Sequence, residues 1–395
     1  MDKHYLTPLF SPESIVVFAG QADDTATQTS HARALHEALR AQRYSGTMVF
    51  LDIHTSGTLA DLAQTRADLA IIALPPRDIA AALEIAGRMA CRAALVMSSG
   101  INADQADELK NIARREGMAL LGPNGLGLQR PSLQLNASAA GPLAKAGSLA
   151  LVSQSGALTA SILDWARNNA VGFSSVISLG PNASVDIAQV LDFLASDAQT
   201  QSIVVYLEGI GSARRFMSAL RMAANAKPVV VLKAGRKPAG NEAAQTHSGA
   251  IVGSDDVFDA ALRRAGAVRV RSFVELFSAA KCLASRYRPV GKRLAIVTNG
   301  GGPGVLAADL VNEIYLHLGK LQAESVRALK PQLPELASLS DLIDLSEDAG
   351  PEHYRVAVEA AGKDSQIDGC WPSIRPKPEP MPRRWRGCWL MPSVP

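Results

Sequence analysis

Strands alternating with helices along most of the chain predict an α/β protein built on parallel sheets covered on both faces. Three observations lead there. Short apolar runs recur, and a helical pattern follows most of them. Hydrophobic residues make up 47% of the chain and charged residues only 19%, enough to fill real cores. Glycine-bearing turns stand where a strand hands over to a helix, at Ser153-Gln154-Ser155-Gly156 and at Asn299-Gly300-Gly301-Gly302-Pro303-Gly304. At 395 residues the chain suits two or three domains.

A first domain is expected over residues 1–140. Its strands read as residues 14–20, 47–51, 69–74, 93–97 and 117–121, with a helix over 27–42. The last strand runs into Gly122-Pro123-Asn124-Gly125. A parallel sheet binds ligands at the carboxyl ends of its strands. The first turn is only a weak dinucleotide signal. Gly20 is present, but the G-x-G-x-x-G spacing is absent, and Asp23 and Asp24 stand where a phosphate would want bare N–H groups. Gly20 therefore reads equally well as a strand-ending turn or as a ligand contact.

Turn residues at 141–147 open a second domain, expected over 147–287. Residues 148–152 form a buried strand, then Ser153-Gln154-Ser155-Gly156 leads into a helix at 157–166. Serine caps a helix well, and Gly156 lets a ligand approach the backbone. The open helix end offers free N–H groups and about half a positive charge. Many such turns do no more than cap a helix. Further strands read at 176–179, at 203–207 ending in Glu208-Gly209, and at 228–232 ending in Lys233-Ala234-Gly235-Arg236. A small-residue loop over 238–253 carries His247 and is long for a plain connection. A helix at 255–264 with Ser254 as its cap, a strand at 267–270 and a helix at 273–285 close the domain.

A third domain is expected over 291–369. Its strand at 293–298 meets the second glycine turn, and a helix follows at 305–313. Successive glycines with Pro303 at the first helical turn suit an anion site built from exposed amides. Gly301, Gly302 and Gly304 are the candidates there, as Ser153, Ser155 and Gly156 are in the second domain. His247 is the candidate phosphoryl carrier, because neutral imidazole is a competent nucleophile near pH 7, with an ordinary pKa of about 6.5. Glu208, a carboxylate at a strand end, is available to fix its tautomer.

The bulk numbers exclude other classes. A net charge of +3 and 5% aromatic residues do not point to nucleic acid. No apolar run is long enough to span a bilayer, and Met1-Asp2-Lys3-His4-Tyr5 lacks the apolar core of a signal peptide. Four cysteines without metal spacing fit a reducing compartment, so no metal site and a cytoplasmic place are expected. The oligomeric state is left open.

Several motifs, in order, carry a resemblance: Gly122-Pro123-Asn124, Ser153-Gln154-Ser155-Gly156, Ser178-Leu179-Gly180, Tyr206-Leu207-Glu208-Gly209, Lys233-Ala234-Gly235-Arg236, Thr246-His247-Ser248-Gly249 and Asn299-Gly300-Gly301-Gly302. Almost continuously from about residue 120 to 345, the chain resembles the ADP-forming acyl-CoA (acetate-CoA) synthetases. These are relatives of the succinyl-CoA synthetase alpha subunit. It is most similar to the bacterial type in which the synthetase portion precedes an acetyltransferase domain.

The resemblance implies a Rossmann-like CoA-binding domain followed by flavodoxin-like parallel-sheet domains. It implies an acid–thiol ligase in which acyl-CoA and phosphate give acyl phosphate and CoA. The phosphoryl group then moves to His247 and on to ADP, held with Mg²⁺ in an ATP-grasp domain. Two helices would aim their N-termini at the phosphohistidine, one starting at Ser155-Gly156 and one near Gly302-Gly304. Glu208 would hydrogen-bond the histidine. The first domain would hold CoA, with candidate contacts at Gly20, Pro75, Ser99, Gly100 and Asn124.

Three departures stand out: Asp23 and Asp24 in the first turn, Asp341-Leu342 in place of an Asn-Pro pair, and no ATP-grasp or acetyltransferase pattern within the 395 residues. An ATP-grasp partner would then be a separate domain or subunit. The alternatives are a CoA- or acetyl-CoA-sensing module that does no chemistry, as in acetyltransferase-linked relatives that lose the histidine, and an inert gene fragment.

The composition changes after Gly369. Residues 371–395 hold seven of the 22 prolines and three of the four tryptophans, Trp371, Trp385 and Trp389. One reading is a partner-binding Pro/Arg tail. The preferred one is a shifted reading frame from residue 370: read one base earlier, Cys370-Trp371-Pro372-Ser373 yields an apolar Leu-Ala run where a third-domain strand is due. The third domain is then expected to be incomplete.

Overall fold

The computed structural model describes residues 3–20, 29–53, 66–180, 184–237, 240, 254–284 and 291–375. It divides into two units, residues 1–286 and 287–395.

The first unit begins with a short helix, α1 (Thr7–Phe10), whose Leu9 and Phe10 are fully buried. Five parallel strands follow: β1 (Ser14–Phe18), β2 (Thr47–Phe50), β3 (Leu69–Ile72), β4 (Ala93–Val96) and β5 (Ala119–Leu121). Their order is β2-β1-β3-β4-β5, so the chain reverses direction across the sheet between β1 and β3. The central strands β3 and β4 are buried along their whole length, as apolar runs covered on both faces should be. The connecting helices are α2 (Ser30–Arg40), α3 (Pro76–Arg88) and α4 (Ala103–Arg115). Thr29 caps α2 by accepting from the Ala32 N–H, and Asn102 with Gln105 forms a capping box on α4.

A second sheet holds seven strands: β6 (Gly127–Arg130), β7 (Leu135–Ser138), β8 (Ala146–Ser153), β9 (Phe173–Ser178), β10 (Ser202–Leu207), β11 (Val229–Lys233) and β12 (Val268–Val270). Their order is β12-β11-β10-β8-β9-β6-β7. Strands β8 to β12 are parallel, and the β6–β7 hairpin is added antiparallel to β9. Helices α5 (Gly156–Asn168), α6 (Ile187–Ser196), α7 (Ala213–Ala226), α8 (Asp255–Ala265) and α9 (Phe273–Ala284) complete it. Ser254 stands at the cap of α8, but its side chain makes no capping bond.

The hairpin is the main difference from expectation: the sequence places residues 127–138 in the first domain, and the structure adds them to the second sheet. Their strands carry buried polar side chains, so no apolar run announces them. Gln129 donates to Ser138, and Ser138 to Asn136, inside the sheet. Arg130 is 2% exposed and reaches Asp197 at 2.9 Å and the Ser175 hydroxyl at 2.5 Å. One apolar core runs from Phe10, Ile15 and Leu95 through Leu128 to Ile177 and Leu191, so the two sheets share an interior.

The second unit is built on β13 (Arg293–Thr298), which pairs in parallel with β14 (His317–Leu318), β15 (Ile343–Asp344) and β16 (Gly369–Ser373). Helices α10 (Gly301–Glu313), α11 (Ala323–Leu329) and α12 (Pro351–Lys363) pack around it. Strand β16 lies where a third-domain strand is due. The sequence change at Gly369 thus falls inside a strand: Cys370 pairs with Ala295, and Pro372, which has no N–H, stands opposite Val297. Trp371 is left 46% exposed. Residues 376–395 lie outside the described part.

The Arg130–Asp197 pair gives a stability prediction. Burial pushes the Asp197 carboxyl up, but the bonds from Arg130 and Thr200 outweigh it and hold the group below its ordinary range. A depressed carboxyl stabilises fully above its unfolded value of about 4 and loses that contribution as pH falls through the folded value. Arg130→Met strands a buried carboxylate, and urea unfolding at pH 7 should show a loss of about 3–5 kcal/mol. The loss should shrink as pH is lowered toward 3.

Candidate active site

Two strand edges meet in the first unit, and glycine is what lets them meet. The loop after β5, carrying Pro123 and Asn124, lies directly on the end of β9. A Cβ at Gly180 would stand 1.8 Å from the Pro123 carbonyl oxygen, and one at Gly125 would stand 2.6 Å from that of Ser178. No side chain fits in either gap. The Ser178 hydroxyl also accepts the Leu126 N–H at 3.1 Å.

The first edge holds all five residues expected to contact CoA. Gly20 follows β1 with a left-handed backbone (φ +68°), and its carbonyl faces His36 Nε2 at 3.2 Å. Pro75 caps α3 beyond β3. Ser99 and Gly100 follow β4 and are exposed. Asn124 follows β5 in the left-handed region at φ +61°. Its side chain is already engaged: Nδ2 donates to the Ile101 carbonyl at 2.9 Å, and Oδ1 accepts the Ile101 N–H at 3.2 Å. Asn124 is thus the staple of the loop bearing Ser99 and Gly100. Asp23 and Asp24 lie outside the described residues.

The second edge is the turn between β8 and α5. The Ser153 hydroxyl donates to the Ser155 carbonyl at 2.9 Å and accepts the Ser155 N–H at 3.1 Å, which locks the turn. Ser155 accepts the Leu158 N–H as the helix cap, and Gly156 is the first helical residue. The N-terminal amides of α5 supply donors and a partial positive charge here.

Gln154 has a role that the sequence motif alone does not reveal. Its Oε1 accepts the N–H groups of Glu208 at 2.6 Å and Gly209 at 3.1 Å, and its Nε2 donates to the Gly209 carbonyl at 2.9 Å. The clamp fixes the strand-end segment that carries Glu208 beside the α5 turn. Glu208 is 8% exposed. Burial, and then the adjacent Glu208 carboxylate to which it hydrogen-bonds, push the Tyr206 phenol up to about 12, so Tyr206 stays protonated.

The second unit repeats this device. The Thr298 hydroxyl donates to the Gly300 carbonyl at 2.9 Å and accepts the Gly300 N–H at 3.1 Å. Asn299 Oδ1 accepts the Arg375 N–H at 2.7 Å, as Gln154 accepts that of Glu208. Strand register agrees, with Ser153 opposite Tyr206 and Thr298 opposite Ser373. Arg375 therefore occupies the position that Glu208 holds in the first unit. Helix α10 begins at Gly301, so Gly301, Gly302 and Gly304 all lie in its first turn. The signal for this match is in the sequence: a hydroxyl residue, an amide residue, a cap and a glycine, in the same order.

His247 lies outside the described residues, as does most of its loop. Among the described residues no cluster of three His, Cys, Asp or Glu side chains could hold a metal ion. Among them no helix is long and apolar enough to cross a membrane.

In each unit a helix N-terminus opens at the carboxyl end of a strand of a largely parallel sheet. Comparison gives the class. The succinyl-CoA ligase like flavodoxin domain matches residues 146–283. The chain is 38% identical over 307 residues to the acetate–CoA ligase [ADP-forming] I of Archaeoglobus fulgidus, which is 76% of this chain and 44% of that protein. It is 30% identical over 213 residues to the succinate–CoA ligase [ADP-forming] subunit alpha 1 of the same organism, 52% of this chain and 72% of that one. Among solved structures, the dinucleotide-forming acetyl-coenzyme A synthetase 1 of Ca. Korarchaeum cryptofilum, in complex with phosphate and ADP, superposes with a TM-score of 0.86 at 29% identity. That match covers 94% of this chain and 82% of that one. The chain belongs to the ADP-forming carboxylate–CoA ligase family and is similar to its alpha subunits. It spans less than half the length of the Archaeoglobus acetate–CoA ligase.

The close approach at Gly180 predicts a contrast. Gly180→Ala should lower stability by about 1–3 kcal/mol, because Pro123 must move. Gly211→Ala, where a Cβ meets nothing within 4 Å, should stay within about 0.5 kcal/mol of the parent. Thermal unfolding of the two variants checks this, and equal midpoints would count against it.

Proposed function

We propose that this chain is the CoA-binding and phosphohistidine-carrying portion of an ADP-forming acyl-CoA synthetase, with His247 as the phosphoryl carrier. The observation that supports this most is the Gln154 clamp, which holds Glu208 beside the open N-terminus of α5. In the same unit the Asn124 loop lies against Gly180.

In this reading CoA lies along Gly20, Pro75, Ser99 and Gly100. A phosphate oxygen attacks the thioester carbonyl carbon. The C–S bond breaks, and CoA leaves as the thiolate. A nitrogen of neutral His247 then attacks phosphorus, the P–O bond breaks and the carboxylate leaves. Glu208 accepts a hydrogen bond from the imidazole, fixes its tautomer and favours the charge it gains. The α5 amides stabilise the transferring phosphoryl group. The α10 turn, with Gly301, Gly302 and Gly304, is proposed as a further phosphate contact. The phosphoryl group passes to ADP, bound with Mg²⁺ in an ATP-grasp domain or subunit.

Incubation with ATP, Mg²⁺ and an ATP-grasp partner should place acid-labile phosphate on the protein. His247→Ala should abolish the label, and Glu208→Gln should slow labelling about 10²-fold. Label surviving in His247→Ala overturns the role of His247. Acetyl-CoA binding with no label in any condition would instead fit a CoA-sensing module of the kind that precedes an acetyltransferase domain.

A further inference from the structure

We propose that His36 is a positioning residue for CoA. It draws the Gly20 carbonyl away from the carboxyl edge of the first sheet, and so keeps the turn after β1 open to a phosphorylated ligand. The proposal rests on the CoA reading above and adds to it a residue that touches no ligand itself.

His36 lies on α2 and is 6% exposed. Its Nε2 stands 3.2 Å from the Gly20 carbonyl oxygen. A carbonyl oxygen only accepts, so Nε2 carries the proton and Nδ1 is a bare acceptor. Nδ1 is buried and has no partner among the described residues. A buried acceptor left unpaired costs stability, and a leucine at this position would not carry that cost. The other buried residues of α2 are Ala32, Leu35 and Leu39, the apolar stripe expected of a helix facing a core. His36 breaks the stripe, and what the fold gains from it is one hydrogen bond to one carbonyl.

That bond controls the direction of a peptide. Gly20 has φ +68°, and a Cβ there would meet nothing within 4 Å, so the turn needs glycine for its backbone angle and not for space. Gly20 is also the single glycine between residues 14 and 45, and the G-x-G-x-x-G spacing that opens a turn to a pyrophosphate is absent. Glycine by itself leaves the following peptide free to turn over. Turned toward the sheet edge, the carbonyl would set its partial negative charge against a phosphate. His36 holds it against a buried ring instead. Phe50, the last residue of β2, stacks on the imidazole with ring centroids 5.1 Å apart and planes at 13°, which fixes the direction of Nε2.

Isothermal titration of the full chain with CoA, read beside the thermal midpoint, tests this. His36→Leu should weaken CoA binding about five- to tenfold, the loss expected for one hydrogen bond, while its midpoint stays at or above that of the parent. His36→Gln keeps a donor of similar reach and should bind CoA within about twofold of the parent. A purely structural role would move affinity and midpoint down together. Unchanged CoA affinity in His36→Leu overturns the positioning role and leaves the CoA reading standing. So does a loss of affinity that follows a fall in midpoint, or one that His36→Gln shares. A parent chain that binds no CoA overturns both.

Discussion

The geometry of the candidate site depends on a contact between two backbones. The Pro123–Asn124 segment and the end of β9 approach so closely that only glycine fits at positions 125 and 180. That contact sets the carboxyl edge of the first sheet against the carboxyl edge of the second. A parallel sheet concentrates ligand-binding capacity at that edge, because loops and helix N-termini converge there. The shared apolar core beneath, from Phe10 to Leu191, keeps the edges from sliding apart.

A polar layer adds precision to this frame. The Ser153 hydroxyl locks its turn, Gln154 clamps the Glu208 segment and Asn124 staples the loop bearing Ser99. Each uses a side-chain amide or hydroxyl to satisfy backbone groups that strand ends leave open. These residues need touch no substrate to matter. They set where the α5 amides and the Glu208 carboxylate stand. The same arrangement at Thr298 and Asn299 shows that the second unit solves its strand-to-helix turn in the same way.

Much of this was legible in the sequence. Apolar runs marked β1, β3, β4, β8, β10 and β11, because strands buried on both faces are uniformly apolar. Glycine and serine after β8, and glycines after β13, marked helix starts. The β6–β7 hairpin was not legible. Gln129, Arg130, Asn136 and Ser138 are buried, yet hydropathy reads them as loop. Their burial depends on partners distant in sequence, such as Asp197 and Ser175, that no local pattern reveals. Gln154 was visible only as a motif letter, since its role requires knowing that β10 lies beside β8.

The central claim is that this chain itself joins CoA chemistry to phosphoryl transfer, with the nucleotide step elsewhere. Radiolabelled inorganic phosphate and acetyl-CoA, supplied to the chain alone without nucleotide, test it most directly. The account predicts acid-labile label on His247 and release of free CoA. Tight acetyl-CoA binding with neither label nor thiol release would contradict it.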